Sequence, residues 1–453
     1  MARGRLADAA STLTVRGRCL VAGGLTLLVL GALLGERSLV QLALFVLALP
    51  VLSAVGVARQ RFRLASRRTV TPPRLARGAD AEVLLEVSNT DRRAGGLWVL
   101  SEQLAPELQA RPRFVVDRLG SGATAALRYG LHGGRRGRFT LGPLRLRLVD
   151  PFGLVRRTVA GTDTASLLVV PRVRTLQGGP SLAGAGGDGG EGARRSIAVH
   201  GEDDVSTREY RHGDDLRLVH WRATARTGEL MVRQEERPSR ASATVLLDTR
   251  ATAHLLGGRG AATPADPGAP PDTLEWLVEA AATIGAHLLE RGAAVRVVTD
   301  TGELLPATRR GGLTTGDLLE QLAVLTPSRS AGLQVGLEAL RRAGNGPLVC
   351  LLGAVEPEDV AALAGSRSGP GQDIAVLIDP ASWLDAGATR GRRPMNASAR
   401  TYLLERQDAA TRTLRAAGWQ VVAARADRTV EQVWAQLAAP AAAPVPWATG
   451  VPA

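Results

Sequence analysis

The sequence predicts a chain of three parts: a membrane-spanning helical hairpin, a small antiparallel β-sandwich, and a doubly wound α/β domain built on a parallel sheet. Three observations carry this. Two apolar runs near the N-terminus, residues 19–35 and 39–57, are each close to the roughly 20 residues a helix needs to cross a bilayer core. Residues 69–175 alternate polar and apolar over short runs punctuated by Gly, Pro and Asp, as half-buried strands do. From Ser242 onward, short apolar runs alternate with helical patterns, which implies right-handed crossovers and a parallel sheet.

Only Glu36, Arg37 and Ser38 separate the two apolar runs, and no small-residue cleavage site follows the first. A membrane hairpin is therefore expected rather than a removed signal peptide. Arg3, Arg5, Arg16 and Arg18 precede the first span, and Arg59, Arg61, Arg63, Arg67 and Arg68 follow the second, against Arg37 alone in the loop. That bias predicts a two-span plasma-membrane protein whose flanks and soluble domains are cytoplasmic.

The sandwich strands are read from "AEVLLEVSN", "LWVLSEQL", "RFVVDRL", "AALRYGLH", "GRFTLGPLRLRLVD" and "SLLVVP". Within them "RRGRF" (residues 135–139) reads as an exposed charged strand after a Gly turn. The α/β strands are "ATVLLD", "AAVRVVTD", "GPLVCLLG", "DIAVLID" and "WQVVAA", interleaved with the helices "TLEWLVEAAATIGAHLLERG", "TTGDLLEQLAVL", "EPEDVAALAG" and "TVEQVWAQL". Ligands of such sheets bind beyond the carboxyl ends of the strands. The expected boundaries are 1–68 for the hairpin with its basic flanks, 69–175 for the sandwich and 176–200 for a Gly-rich linker. A polar segment at 201–241, the α/β domain at 242–437 and a disordered Ala/Pro tail at 438–453 complete the chain.

The net charge of +13 is unevenly spread: residues 1–175 hold 27 Arg against 11 acidic residues, and the remainder 29 against 32. The excess lies beside the membrane segment, where anionic lipid accounts for it, so no specific nucleic-acid partner is expected. Cys19 and Cys350 are the only cysteines and form neither a disulfide framework nor a metal-ligand spacing.

The segment "GEDDVSTREYRHGDDLRLVHWRATARTGELMVRQEER" (residues 201–237) stands apart in composition. "RHGDD" reads as a turn, with Asp214 or Asp215 capping a helix "LRLVHWRATAR" on which Leu216, Val219 or His220, and Ala223 share a face; "TGELMVRQ" follows as turn and strand. Four roles compete for it. Asp214, Asp215 and His220 could hold a metal, although they lack close paired spacing. The same residues could act as acid and base in a hydrolase, although no GxSxG nucleophile motif accompanies them. Arg208, Arg211, Arg217, Arg222, Arg226 and Arg233, with Tyr210 and Trp221 as anchors, could form a docking surface. Finally, those Arg could pair internally with Glu209, Asp214, Asp215, Glu229 and Glu235.

The run "REYRHGDDLRLVHWRATARTGELMVRQEE" closely resembles the signature of the bacterial domain-of-unknown-function family 58, in which it precedes a von Willebrand factor A-like domain. "RRGRFTLGPLRLRLVDPFGL" (135–154) and the N-terminal hairpin resemble the same family's upstream parts. The resemblance implies a genetic and physical association with MoxR-type AAA+ ATPases and transglutaminase-like membrane proteins. It implies a non-enzymatic adaptor or scaffold in ATPase-driven maturation of other proteins; the alternative is a metal-dependent hydrolase using Asp214, Asp215 and His220. A von Willebrand A domain often binds Mg²⁺ through a DxSxS loop after its first strand, and the matching residues here are Asp248, Thr249, Arg250, Ala251 and Thr252. Arg250 replaces the first Ser, removing a ligand and repelling a cation, and Gly353 stands near an expected Asp. The metal site is thus expected to be degenerate, with Asp248 and Thr252 as its remaining ligands at most, and no cofactor is expected.

Overall fold

The computed structural model describes residues 13–59, 64–92, 98–150, 152–178, 180, 207–210, 219–233, 242–255, 272–305, 313–342, 346–366, 373–388 and 395–438. They divide into two compact units, one running to Val170 and one starting at Pro171.

The first unit opens with the hairpin: α1 (Val15–Leu34) and α2 (Arg37–Arg59), joined through Gly35 in the left-handed conformation. At 1.5 Å per residue α1 is about 30 Å long, the thickness of a bilayer core. Gly17, Gly24 and Gly31 are its buried positions. Their sevenfold spacing keeps them on one face, and a Cβ on Gly24 would meet the Leu47 side chain at 2.8 Å. At Gly24 and Gly31 the absent side chains let the two helices approach closely.

Ten strands follow: β1 (Leu64–Thr71), β2 (Arg74–Ala76), β3 (Asp80–Asn89), β4 (Trp98–Glu102), β5 (Arg113–Val116), β6 (Thr124–His132), β7 (Gly137–Leu141), β8 (Leu144–Val149), β9 (Arg156–Ala160) and β10 (Ala165–Val170). They form sheets ordered β1-β3-β6, β2-β10-β7 and β5-β4-β8-β9, antiparallel except for the β2–β10 pair. Ala81, Val83, Leu85 and Val87 of β3 all point to one face, as a period of two requires. Val83 packs with Leu131, Leu141 and Leu167, while Leu85 and Val87 pack with Trp98, Leu100 and Leu144, so one face of the first sheet is covered by the other two.

β1 begins inside the region expected to flank the membrane. Arg68 is not a solvated flank residue: its side chain is buried and pairs with Glu102, which also accepts a hydrogen bond from the Tyr129 hydroxyl at 2.5 Å. Burial, and then the Glu102 hydrogen bond, raises the Tyr129 pKa and keeps the phenol protonated.

In the second unit, residues 171–178 form a strap rather than the end of the sandwich and the start of a linker. Leu176 enters the core, Arg174 pairs with Glu279 at 2.6 Å and Glu431 at 3.0 Å, and the Gly178 carbonyl accepts from the Trp434 indole. The rest of the expected linker and the tail from 439 lie outside the described residues.

A small hairpin follows, β11 (Thr207–Glu209) and β12 (Met231–Arg233) around α3 (Trp221–Thr227). The α/β body comprises β13 (Ser242–Leu247), α4 (Thr273–Glu290), β14 (Ala294–Thr299), β15 (Gly302–Leu305), α5 (Thr315–Val324), α6 (Gln334–Arg341), β16 (Leu348–Leu352), α7 (Pro357–Ala364), β17 (Ile374–Ile378), α8 (Pro380–Ala388), α9 (Ala397–Ala416), β18 (Gln420–Ala424) and α10 (Val430–Ala438). Its six-stranded sheet runs β15-β14-β13-β16-β17-β18, parallel except for the edge strand β15, which the sequence reading did not include.

The strands β16 and β17 are buried throughout, because helices cover both faces. Val245 and Leu247 face a core with α4, α5, α8 and α10; Leu246 faces a second core with α6, α7 and α9. The sequence order of the strands across this sheet is 3-2-1-4-5-6. It reverses between β13 and β16, and that switch point is where doubly wound sheets open a ligand crevice.

Candidate functional site

The crevice at the switch point is filled from within by one side chain. β13 delivers Asp248 at its carboxyl end, β14 delivers Asp300, and the turn after β16 delivers Gly353, while α7 supplies Asp359. Asp248, Asp300 and Asp359 are all buried. Arg250 turns back among them with only 2% of its surface exposed. Its Nε and Nη2 donate to the two oxygens of Asp248, each at 2.9 Å, a bidentate pairing that the planar guanidinium fits. Its Nη1 donates to Asp359 at 2.6 Å, and Nη2 also reaches the Ala354 carbonyl at 3.5 Å.

Burial alone would lower the Arg250 pKa, but the hydrogen bonds and charge of Asp248, followed by those of Asp359, outweigh it and raise it. The arginine is therefore a fixed cation. Asp248 is saturated by its neighbours: Oδ1 accepts the Arg250 backbone N–H at 3.1 Å besides Nε, and Oδ2 accepts the Gly353 N–H at 3.3 Å besides Nη2. A carboxylate offers about four lone-pair sites, and all four are engaged.

Asp300 is held separately. It accepts from the Thr249 N–H at 2.8 Å, from the Thr249 hydroxyl at 2.5 Å, and from the Ser328 hydroxyl. Ser328 in turn exchanges backbone hydrogen bonds with Thr249 and Ala251, which fixes the loop that carries Arg250.

His254 braces the same loop: Nε2 donates to the Asp248 carbonyl at 2.8 Å, and Nδ1 accepts from the Thr273 hydroxyl at 3.2 Å. Burial lowers its pKa, so the ring is held neutral. Gly353 completes the fit, since any Cβ there would collide with the Ala253 carbonyl oxygen. An Asp at 353 has no room.

The donor set does not suit Mg²⁺. Asp248 is consumed by Arg250, a guanidinium occupies the crevice, and Thr252 sits on the exposed side of a short 3₁₀ turn (Ala251–Ala253). Among the described residues no group of three His, Cys, Asp or Glu side chains could hold a metal.

The polar hairpin differs from its expected form. The helix begins at Trp221, and its cap is His220, whose Nδ1 accepts the Ala223 N–H at 3.1 Å; neither Asp214 nor Asp215 caps it. Val219 is not on that helix. It bridges Val232, and both valines are buried, because the chain runs extended here to close the hairpin. The His220 N–H donates to the Met231 carbonyl, Tyr210 N–H to the Leu230 carbonyl, and Met231 N–H to the Thr224 hydroxyl.

Arg208 pairs through its backbone with Val232 in the β11–β12 ladder. Arg226 lies exposed in the last helical turn, where a cation complements the helix dipole. Trp221 is 70% exposed. Arg211, Asp214, Asp215 and Arg217 lie outside the described residues. The helix-capping role of His220 occupies the ring nitrogen a base or a ligand would use.

Residues 206–347 match the family model described as a protein of unknown function, DUF58. The match begins at the polar hairpin and ends just before β16, so it includes Asp248, Arg250 and Asp300 but not Asp359. No curated protein matches. Among solved structures, similarity is recorded to the CARDB domain of a Pyrococcus furiosus protein at 14% identity, covering 24% of this chain and 93% of that one, with a TM-score of 0.18. A cohesin module of a Clostridium perfringens family 33 glycoside hydrolase matches at 11% identity, over 25% of this chain and all of its own, with a TM-score of 0.19. At TM-scores this low neither bears on the fold or the site.

Proposed function

We propose that this chain is a membrane-anchored, non-enzymatic adaptor whose von Willebrand A-like α/β domain recruits a MoxR-type AAA+ ATPase to envelope-associated clients. The observation that carries the reading is the crevice itself: the place where such a sheet would hold a cation or substrate is taken up by Arg250 and its two carboxylates. A domain whose switch-point crevice is filled by its own side chains is suited to act through its surface. The 3-2-1-4-5-6 strand order with an antiparallel edge strand supports the von Willebrand A-like assignment.

Two helices long and apolar enough to span a bilayer support membrane anchorage. The Arg distribution supports cytoplasmic soluble domains. Trp221, exposed at the start of α3, supplies an aromatic anchor of the kind that dominates docking surfaces. The partners proposed are the ATPase and, in the membrane, a transglutaminase-like protein.

The test is affinity purification of the tagged full-length protein from detergent-solubilised native membranes after mild crosslinking, read by mass spectrometry. Recovery of an AAA+ ATPase with the wild type and its loss with Trp221→Ala is the expected result. A correctly inserted wild type that recovers no ATPase contradicts the reading.

A further inference from the structure

The turn between β8 and β9 is built onto the base of the helical hairpin. Thr14, the N-cap of α1, donates its backbone N–H to the Leu154 carbonyl at 2.9 Å and its hydroxyl to the Gly153 carbonyl at 2.6 Å. Gly17 has no Cβ, and the Leu154 carbonyl oxygen occupies the space one would fill. Leu154 and Val155 are buried in a cluster with Val57, Leu13, Leu20, Leu49 and Ala54, which joins the turn to both helices. From β9, Arg157 donates to the Val57 and Ala58 carbonyls at the end of α2. Asp150 sets the turn by accepting the Phe152 and Val155 N–H groups at 3.1 and 2.6 Å.

One apolar side chain escapes this packing. Phe152 is 65% exposed, although its neighbours Leu154 and Val155 are buried. Its level is fixed by the helix it is tied to. With the apolar run of α1 from Cys19 onward in the bilayer core, Thr14 lies about 7 Å beyond the core's edge, and Arg16 and the attached turn lie at headgroup depth. Arg16, whose guanidinium lies beside Gly153, and Arg156, at the start of β9, are exposed around the same turn. An aromatic ring flanked by cations is the composition of an interfacial anchor, with the ring at the acyl boundary and the guanidinium groups among phosphates.

We propose that the 152–155 turn is a membrane-interface wedge: Phe152 inserts into the phospholipid surface next to the hairpin, with Arg16 and Arg156 on lipid phosphates. The wedge rests on the membrane reading of the hairpin. It makes the first β-domain a part of the membrane anchor and sets its attitude to the bilayer.

The experiment uses the full chain with Cys19 replaced by Ala, the fully buried Cys350 left in place, and one surface cysteine introduced at a time as Phe152→Cys, Leu25→Cys or Ala160→Cys. Leu25 is an exposed residue within α1, and Ala160 is exposed at the far end of β9. Each variant is labelled with an environment-sensitive fluorophore and reconstituted into phosphatidylethanolamine/phosphatidylglycerol vesicles carrying nitroxide lipid. Because an interfacial residue sits only about 5–10 Å into the boundary, a shallow nitroxide is expected to quench the 152 label about twofold or more while sparing the 160 label. The Leu25 label is expected to be quenched by a deep nitroxide. Quenching at 25 with no more quenching at 152 than at 160 overturns the wedge and leaves the hairpin standing. Loss of quenching at both 25 and 152 overturns the membrane reading itself.

Discussion

Arg250 shows how a single side chain can fill a crevice from within the chain. A divalent cation between Asp248 and its neighbours would bridge the carboxylates; the guanidinium does so from within the chain, with three N–H groups on two carboxylates. Removing it leaves two buried carboxylates without their cation, so Arg250→Ala is expected to cost about 3–5 kcal/mol in denaturant unfolding. A loss of under about 1 kcal/mol, the size of an exposed pair, would contradict the burial.

His254 adds a pH dependence of known sign. Its folded-state pKa is depressed, so as pH falls the unfolded chain takes up the proton first. The stability it contributes is complete above its ordinary value of 6.5 and is lost as pH drops from there towards the folded value. Unfolding midpoints of the wild type should fall over that window more steeply than those of His254→Gln; parallel slopes would remove His254 from the account.

At this scale the sequence was partly legible. Arg250 is visibly hostile to a metal, and Asp248 and Asp300 end apolar runs, but Asp359 lies 109 residues from its partner within an ordinary helix start. No local pattern marks it. His220 read as chemistry because a ring nitrogen is rarely a helix cap.

At the scale of elements, legibility followed the strength of burial. The strands β13, β14, β16, β17 and β18 declare themselves because both faces are apolar. The 20-residue helix α9 has no such signal: Ala410 and Leu414 are its only fully buried residues, so its sequence reads as polar chain. β1 was hidden by Arg67 and Arg68, since a buried arginine paired with a distant Glu cannot be told from a solvated flank by composition.

Close approach between elements gives a prediction here. Gly24→Leu would force a side chain into Leu47 and Val46 of α2, and such overpacking costs about 1–3 kcal/mol. Detergent-titrated unfolding of the full chain should register that loss; an unchanged midpoint would mean that the helices do not pack through this face.

At the scale of the molecule, the basic charge sits in the half that carries the hairpin, and the α/β half is slightly acidic. The full-length protein is expected to stay with membranes through both high salt and alkaline carbonate, because a helical hairpin is held by apolar burial and not by charge. Release by salt alone would reduce the anchor to a surface contact.

The central claim is that Arg250 fills the switch-point crevice of the α/β domain and leaves no place there for a divalent cation. The direct measurement is calorimetric titration of Mg²⁺ into the detergent-solubilised wild type, with Asp248→Ala alongside. No saturable heat is expected in either protein. Saturable binding in the wild type that disappears in Asp248→Ala would place a metal in the crevice that Arg250 occupies, and would contradict it.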